Sequence, residues 1–382
     1  MAKRRGHGEG SIFQRKDGRW VGTVDLGWHD GKRKRKTFYG KTRPEVRDKV
    51  HKAMEDLRKG LPVHIQRQTV EQYLNHWLEN AVKPNRRPKT YTSYEQLVRL
   101  HLVPSLGKHQ LQKLSPQHVQ TFLNSKLESN LAPRTVQYIH ATLRAALNQA
   151  ERWGLVQRNV AKLVDPPRAK RHDITPLSPD DARRLLEVAS EHRLSALFSV
   201  ALSVGLRQGE ALGLTWDDVD LSARTLRIRY QLQRVNGKPK LVEPKSEQSR
   251  RTVALPDPVI TALRLHRREQ LEERLAAGET WEDWNLVFCT QHGTPLDDAN
   301  VRRVFQRLLK QAELPPIRYH DLRHTCASLL LAQNVHPRVV METLGHSQIS
   351  LTMNTYSHVA PSLQREAADR MNILFDARES GS

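Results

Sequence analysis

The sequence predicts a multidomain α+β chain. A small three-stranded β module with one helix comes first, an all-α domain follows, and a mainly α domain with a small β-sheet closes the chain. Three observations carry this. The length of 382 residues exceeds one typical domain. Alternating runs punctuated by turns occur only near 11–39 and 225–255, and helical spacing dominates elsewhere. The segment Asp165-Pro166-Pro167-Arg168-Ala169-Lys170-Arg171-His172 combines stiff prolines with basic residues and reads as an interdomain linker. The expected parts are 1–60, 66–165 and 172–382.

Within 1–60, Ser11 to Arg15, Arg19 to Leu26 and Lys32 to Tyr39 read as strands. Asp17-Gly18 and Asp30-Gly31 supply the turns, because Asp-Gly tolerates the backbone a hairpin needs. Thr42-Arg43-Pro44-Glu45 looks like a capping box opening a helix to Lys59, which Gly60 ends. In 66–165, Thr69 to Gln72 is a second capping box, followed by Tyr73, Leu74, Trp77 and Leu78 at helical spacing. Further helices are expected over Thr90 to Leu102, from Ser115-Pro116 and from Pro133, with Trp153 in the core. Short loops between short helices imply a compact helical unit.

In 172–382, Ser178-Pro179 caps a helix, and an apolar helix runs from Leu194 to Leu206. Thr225 to Val235 reads as one strand, Asn236-Gly237 as a tight turn and Lys240 to Glu243 as its partner, with Arg250 to Leu255 a third strand. Helices resume over Pro258 to Ala277 and Asp298 to Glu313. Near the end, Leu363, Ala367, Met371 and Leu374 form one apolar helical stripe.

Lys and Arg total 62 against 41 Asp and Glu, a net charge of +21. Such a surplus points to a polyanionic partner, with nucleic acid first, although a basic enzyme of another kind would share it. Residues 1–60 hold 18 Lys or Arg against 8 Asp or Glu, so about half the surplus sits in under a sixth of the chain. Lys32, Arg33, Lys34, Arg35 and Lys36 lie on an expected strand, where a small sheet can enter a DNA groove; a solvated charge run is the bland alternative. Arg168, Lys170 and Arg171 in the linker suit a phosphate backbone. No apolar run is long enough to cross a membrane, and Met1 to Arg5 leads into no apolar stretch, so neither membrane span nor secretory signal is expected. Two cysteines, Cys289 and Cys326, fit a reducing cytoplasm rather than a disulfide framework.

The chemistry concentrates between His320 and Tyr356. His320 and Arg323 are one helical turn apart, so one face offers a proton carrier and a planar cation. Arg can grip two phosphate oxygens and His can donate to a third. Leu344-Gly345-His346-Ser347 and Tyr356-Ser357-His358 follow. His320 and His324 have the i,i+4 spacing of zinc ligands, but Asp321 replaces the Glu of the metalloprotease motif and Arg323 would repel a cation, so no metal is expected.

With Gly205-Leu206-Arg207-Gln208-Gly209-Glu210 and with Lys245 after a hairpin, these segments resemble the tyrosine recombinases, the phage-integrase family, in the family's own order across about 172–360. More weakly, 66–165 resembles the family's core-site-binding helical domain, and 1–60 resembles the arm-site module of its larger members. The resemblance implies that Arg207 and Arg323 bind the scissile phosphate. Tyr356 attacks phosphorus to give a 3′-phosphotyrosine, and Lys245 protonates the leaving 5′ oxygen. His320 and His346 assist proton transfer, and Glu210 supports a neighbouring base or arginine. It implies no cofactor, neither metal nor ATP. The implied partners are double-stranded DNA at crossover and arm sites, a homotetramer on DNA, and an excision factor or host DNA-bending protein.

Two other classes remain open at this point. A type IB topoisomerase shares similar tyrosine chemistry but acts alone on one strand. A non-catalytic DNA-binding regulator would share the charge but has no use for Arg207, Lys245, His320, Arg323, His346 and Tyr356 together.

Overall fold

Three cores organise the residues that the computed structural model describes, namely 11–29, 32–58, 68–170, 175–235, 237–244, 249–345, 368–369 and 371–372. By internal contacts the chain divides into two units, 1–171 and 172–382, with the break inside the Pro-Arg linker.

The first core belongs to an antiparallel sheet, β1 (Ser11–Gln14), β2 (Trp20–His29) and β3 (Lys32–Gly40), covered by α1 (Arg43–Arg58). Val24 from the sheet meets Val46, Val50 and Ala53 from the helix. The cap differs in detail from the sequence expectation. Thr42 Oγ1 accepts from the Glu45 amide, but the Glu45 carboxylate takes the amide of Lys41 and the ammonium of Lys49 rather than closing on Thr42.

The second core is helical: α2 (Val70–Trp77), α3 (Pro88–Leu97), α4 (Val103–Leu106), α5 (Pro116–Glu128) and α6 (Pro133–Arg152). The Thr69–Gln72 box closes in both directions. Pro88 opens α3 rather than breaking it, since a first-turn proline forfeits no hydrogen bond. The expected single helix to Leu102 passes through a π-helical turn at Val98–Leu102. Tyr73, Leu74, Ile139, Leu143 and Leu147 are fully buried, and each removes apolar surface worth about 1.5–3 kcal/mol. Trp153 is half-buried, packing edge-on against Tyr73 at the margin of this core instead of inside it.

The third core holds α7 (Pro179–Ser190), α8 (Ser195–Val204), α9 (Gln208–Leu212), α10 (Asp257–Ala277), α11 (Asp298–Gln311) and the start of α12 (Asp321–Ala332), and α13 (Pro337–Leu344) packs beside α12. Cys326, Leu331, Val340 and Leu344 add a smaller apolar cluster between α12 and α13. The strands of this unit are β4 (Val219–Asp220), β5 (Thr225–Ile228), β6 (Gln231–Val235), β7 (Lys238–Val242) and β8 (Arg251–Ala254). Here the single strand expected over Thr225 to Val235 is two. β5 pairs with β4 and β8, whereas among the described residues β6 pairs with β7 alone. The chain changes sheet at Arg229, which forms an ion pair with the buried carboxylate of Asp218. That bond holds one end of the run in the domain while β6 and β7 form a separate ribbon, with β6 packed on α9. Fold class is otherwise as the sequence predicts, mainly helical with small antiparallel sheets. Among the described residues, no helix is long and apolar enough to cross a membrane.

Candidate functional site

The site is assembled at one corner of the third core. Phe198, Phe305 and Tyr319 pack together, with Tyr319 edge-on to Phe305 at 5.8 Å. Tyr319 and Leu322 face this core, so the neighbouring face of the same turn presents His320 and Arg323. His320 itself is the cap residue before α12 rather than part of it. Asp321, at the first turn, is bound by Arg318 through its backbone N–H and its guanidinium, both at 2.8 Å. A carboxylate at a helix N-terminus is doubly favoured, and here it fixes the start of the helix.

Arg323 is 2% exposed and donates to the Gly205 carbonyl at 2.8 Å. Gly205 ends α8 in the left-handed region, φ 67°. A Cβ there would collide with Leu344 of α13 and crowd Cys326 of α12, so glycine lets three helices meet. The next two residues are Leu206, buried, and Arg207. Arg323 therefore grips the backbone two residues from Arg207, and the two arginines come from chain segments more than a hundred residues apart.

Arg207 keeps 37% of its side chain exposed. Its guanidinium donates to Glu210 Oε1 at 2.5 Å and to the Gly345 carbonyl at 3.0 Å. Glu210 Oε2 also accepts the Arg207 backbone N–H at 3.1 Å. Glu210 is buried, which by itself raises a carboxyl pKa, but the guanidiniums of Arg251 and then Arg207 outweigh that and hold it below the ordinary range. It is therefore a fixed anion between two cations.

His320 and His324 pack edge to face, with ring centres 5.1 Å apart. Burial first, and then the Arg323 cation, lower the His320 pKa; burial and His320 push His324 down to about 4. At neutral pH the His320 ring is thus uncharged, free to pass a proton. Burial also lowers His266 and His192 in the same domain. Each of these groups binds a proton more readily when unfolded, so its stabilising contribution is complete above the unfolded imidazole pKa of about 6.5 and is lost as pH falls through the folded values. Glu210 and Asp321 are held low and stay ionised across that window. The melting temperature is expected to be flat from pH 8 to 7 and to drop by several degrees by pH 5, with His324→Gln reducing the slope. An unchanged Tm down to pH 5 would contradict the assignment.

The structure brings Arg207, Glu210, His320 and Arg323 to one corner. Lys245, His346 and Tyr356 lie outside the described residues, as do Arg171 and the side chains of Lys32 and Lys34. Arg33 is spent partly within the sheet, bonding Asp25 at 2.7 Å. Arg35 is exposed, and Lys36 is half-buried over the Phe38 ring. Arg168 and Lys170 are exposed. Arg251 is absent from the residues that the sequence singles out. Its one signal there is register: it shares the inward face of β8 with Val253, an unusual place for a cation.

The sequence matches the phage integrase family over residues 176–362 and the N-terminal SAM-like domain of phage integrases over 69–127. An integrase of Saccharopolyspora erythraea is 31% identical over 97% of both chains. A protein of Caldanaerobacter subterraneus subsp. tengcongensis called tyrosine recombinase XerC-like is 33% identical over 92% of this chain and 95% of its own. In fold, the chain is similar to the Tn1549 transposon integrase solved in complex with a circular intermediate DNA, with a TM-score of 0.68 over 80% of this chain and 99% of that one at 21% identity. The family match and these relatives make the chain an enzyme of site-specific DNA breakage and rejoining. The chain belongs to the phage integrase family of tyrosine recombinases.

Proposed function

We propose that this recombinase integrates a mobile element by cutting duplex DNA through Tyr356. The Tyr356 oxygen bonds to phosphorus as the bond to the 5′ oxygen breaks, leaving a 3′-phosphotyrosine and a free 5′-hydroxyl. The tyrosine proton passes to the histidine pair His320 and His346, and Lys245 supplies the proton to the leaving oxygen. Arg207 and Arg323 neutralise the charge that grows on the non-bridging oxygens, where fixed donors act most strongly. The observation that carries this reading is the Arg323 bond to the Gly205 carbonyl, which locks two arginines from distant segments into one corner. The phosphotyrosine conserves the bond energy, so rejoining needs neither ATP nor metal.

The test is a nicked suicide duplex carrying the element's junction sequence, incubated with the protein in EDTA. The 5′ fragment diffuses away and a covalent protein–DNA adduct accumulates on a denaturing gel. Binding without an adduct would leave only a regulator. Relaxation of supercoils by a monomer, without strand exchange, would indicate a topoisomerase.

The proposed division of labour gives 172–382 the catalysis, 66–165 the crossover site and 1–60 an arm site, all acting on DNA in the cytoplasm. Exposed Arg168 and Lys170 suit the linker to the phosphate backbone, and exposed Arg35 suits the N-terminal sheet to DNA. Tethering the N-terminal module makes the second DNA contact intramolecular, so modest affinities combine. An excision factor or host DNA-bending protein would bring the two sites together. Deleting residues 1–60 is expected to spare cleavage of an isolated crossover site and to cut recombination of full sites by about a hundredfold or more, the low end of what linking two contacts adds. A uniform loss of affinity for all DNA would reduce the module to an electrostatic role.

Exchanging two duplexes requires four strand cuts, which implies a homotetramer on DNA. Met371 is half exposed, a suitable contact for a neighbouring protomer. Met371→Asp is expected to weaken synapsis severalfold in gel-shift assays while monomer binding persists; normal synapsis would reject docking through the tail.

A further inference from the structure

Arg251 lies at the start of β8, and its side chain is only 8% exposed. Its Nε donates to the Thr343 carbonyl at 2.6 Å, near the end of α13. One terminal nitrogen donates to Glu210 Oε2 at 3.2 Å, and the other to the Ser249 carbonyl at 3.2 Å. Glu210 in turn binds Arg207, and Arg207 binds the Gly345 carbonyl two residues beyond Thr343. The bonds form a closed circuit: Arg251 to Glu210 to Arg207 to Gly345, then back through the end of α13 to Thr343 and Arg251.

The partners of the two cations give them different tasks. Arg207 is more than a third exposed, whereas each of the three nitrogens of Arg251 donates to a protein acceptor. A long cation such as Arg207 samples many rotamers unless its partners are themselves fixed. Glu210 has one oxygen for each guanidinium, so Arg251 sets where the carboxylate sits and thus where Arg207 points. The same guanidinium ties β8, the first described strand after Lys245, to the helix that precedes His346.

We propose that Arg251 is a positioning residue for strand cleavage, a buried cation that fixes Glu210 and the end of α13 and through them the guanidinium of Arg207. This rests on the reading of Arg207 as a phosphate ligand.

The experiment measures single-turnover cleavage of the suicide duplex by the full chain carrying Arg251→Met or Arg251→Lys, each alone and combined with Arg207→Ala. Met keeps much of the length and loses the bonds. Arg251→Met is expected to bind DNA within about twofold of the parent and to cleave roughly 50-fold more slowly. Arg251→Lys, which keeps the charge and one bond, recovers to within about tenfold. In the Arg207→Ala background, Arg251→Met costs less than about threefold more, because the group it positions is already gone. Full multiplication of the two losses overturns the proposal, as does wild-type cleavage by a folded Arg251→Met chain.

A duplex with sulfur in place of the bridging 5′ oxygen separates the other route. Its thiolate leaves without a proton donor, so Lys245→Ala regains cleavage on it while Arg251→Met does not. Rescue of Arg251→Met by sulfur would mean that it acts through leaving-group protonation instead. If Met unfolds the chain in a circular-dichroism melt, the cycle is read with Lys. Failure of the parent chain to form any adduct would refute the phosphate reading itself, whereas a parent that cleaves beside an unaffected Arg251→Met refutes only the role of Arg251.

Discussion

Tyr356→Phe is expected to leave DNA binding intact and to eliminate the covalent adduct. The change removes one hydroxyl and keeps the ring, so packing and charge are nearly unaltered. The chemistry, however, has no substitute. On the proposed mechanism, attack by the Tyr356 phenol makes the transfer effectively intramolecular, and phenylalanine offers no atom to replace it. A fall in cleavage of at least about four orders of magnitude is expected, which corresponds to more than about 5 kcal/mol of barrier. Gel-shift affinity should stay within about twofold, because a duplex-binding protein is expected to draw its affinity from many phosphate contacts rather than from one hydroxyl. An adduct of undiminished yield from the Tyr356→Phe chain would assign the nucleophile to another residue. Loss of DNA binding would instead mark the change as structural.

Local signals in the sequence are legible because local physics decides them. Thr69 and Ser178 cap helices as their side-chain oxygens require. Asp17-Gly18 turns between β1 and β2, with Gly18 at φ 78°. Arg207, His320 and Arg323 stand out because their order and residue types match a family. The spacing of His320 and Arg323 then places them at neighbouring positions of one turn. What stays hidden depends on tertiary contacts. Nothing local to Thr225–Val235 announces that Arg229 is drawn to Asp218 and that the strand changes sheet there. Arg251 looks like one more cation in Ser249-Arg250-Arg251; apart from its inward register with Val253, the partnership with Glu210 and Thr343 is what distinguishes it from exposed Arg250. The helix Pro337–Leu344 is missing from the sequence reading too, although Leu344 closes the corner against Gly205. Glu210 illustrates the division. Its support for an arginine follows from the motif, but its sharing between two arginines needs the fold.

Arg323→Gln is expected to lower cleavage about a thousandfold, the upper end of what one fixed donor to a developing charge contributes. Glutamine retains a donor amide but neither the charge nor the fork, and a neutral donor stabilises a phosphorane far less than a cation in a water-poor site. The substitution also touches the fold. Arg323 is 2% exposed, and the Gly205 carbonyl it holds at 2.8 Å would lose its donor, a cost of about 1–3 kcal/mol. For a unit of this size that lowers Tm by a few degrees per kcal/mol, so the assay belongs well below the melting temperature. Arg323→Lys separates the two effects. It restores charge without the planar fork, so cleavage recovers by about tenfold while the Gly205 contact is replaced by a single donor. Affinity for DNA should change little in either variant, because one phosphate among many is affected. A folded Arg323→Gln chain that forms the adduct at the parental rate would remove Arg323 from the phosphate clamp. It would leave that arginine as a brace for Gly205 alone, with Arg207 the cation to test next.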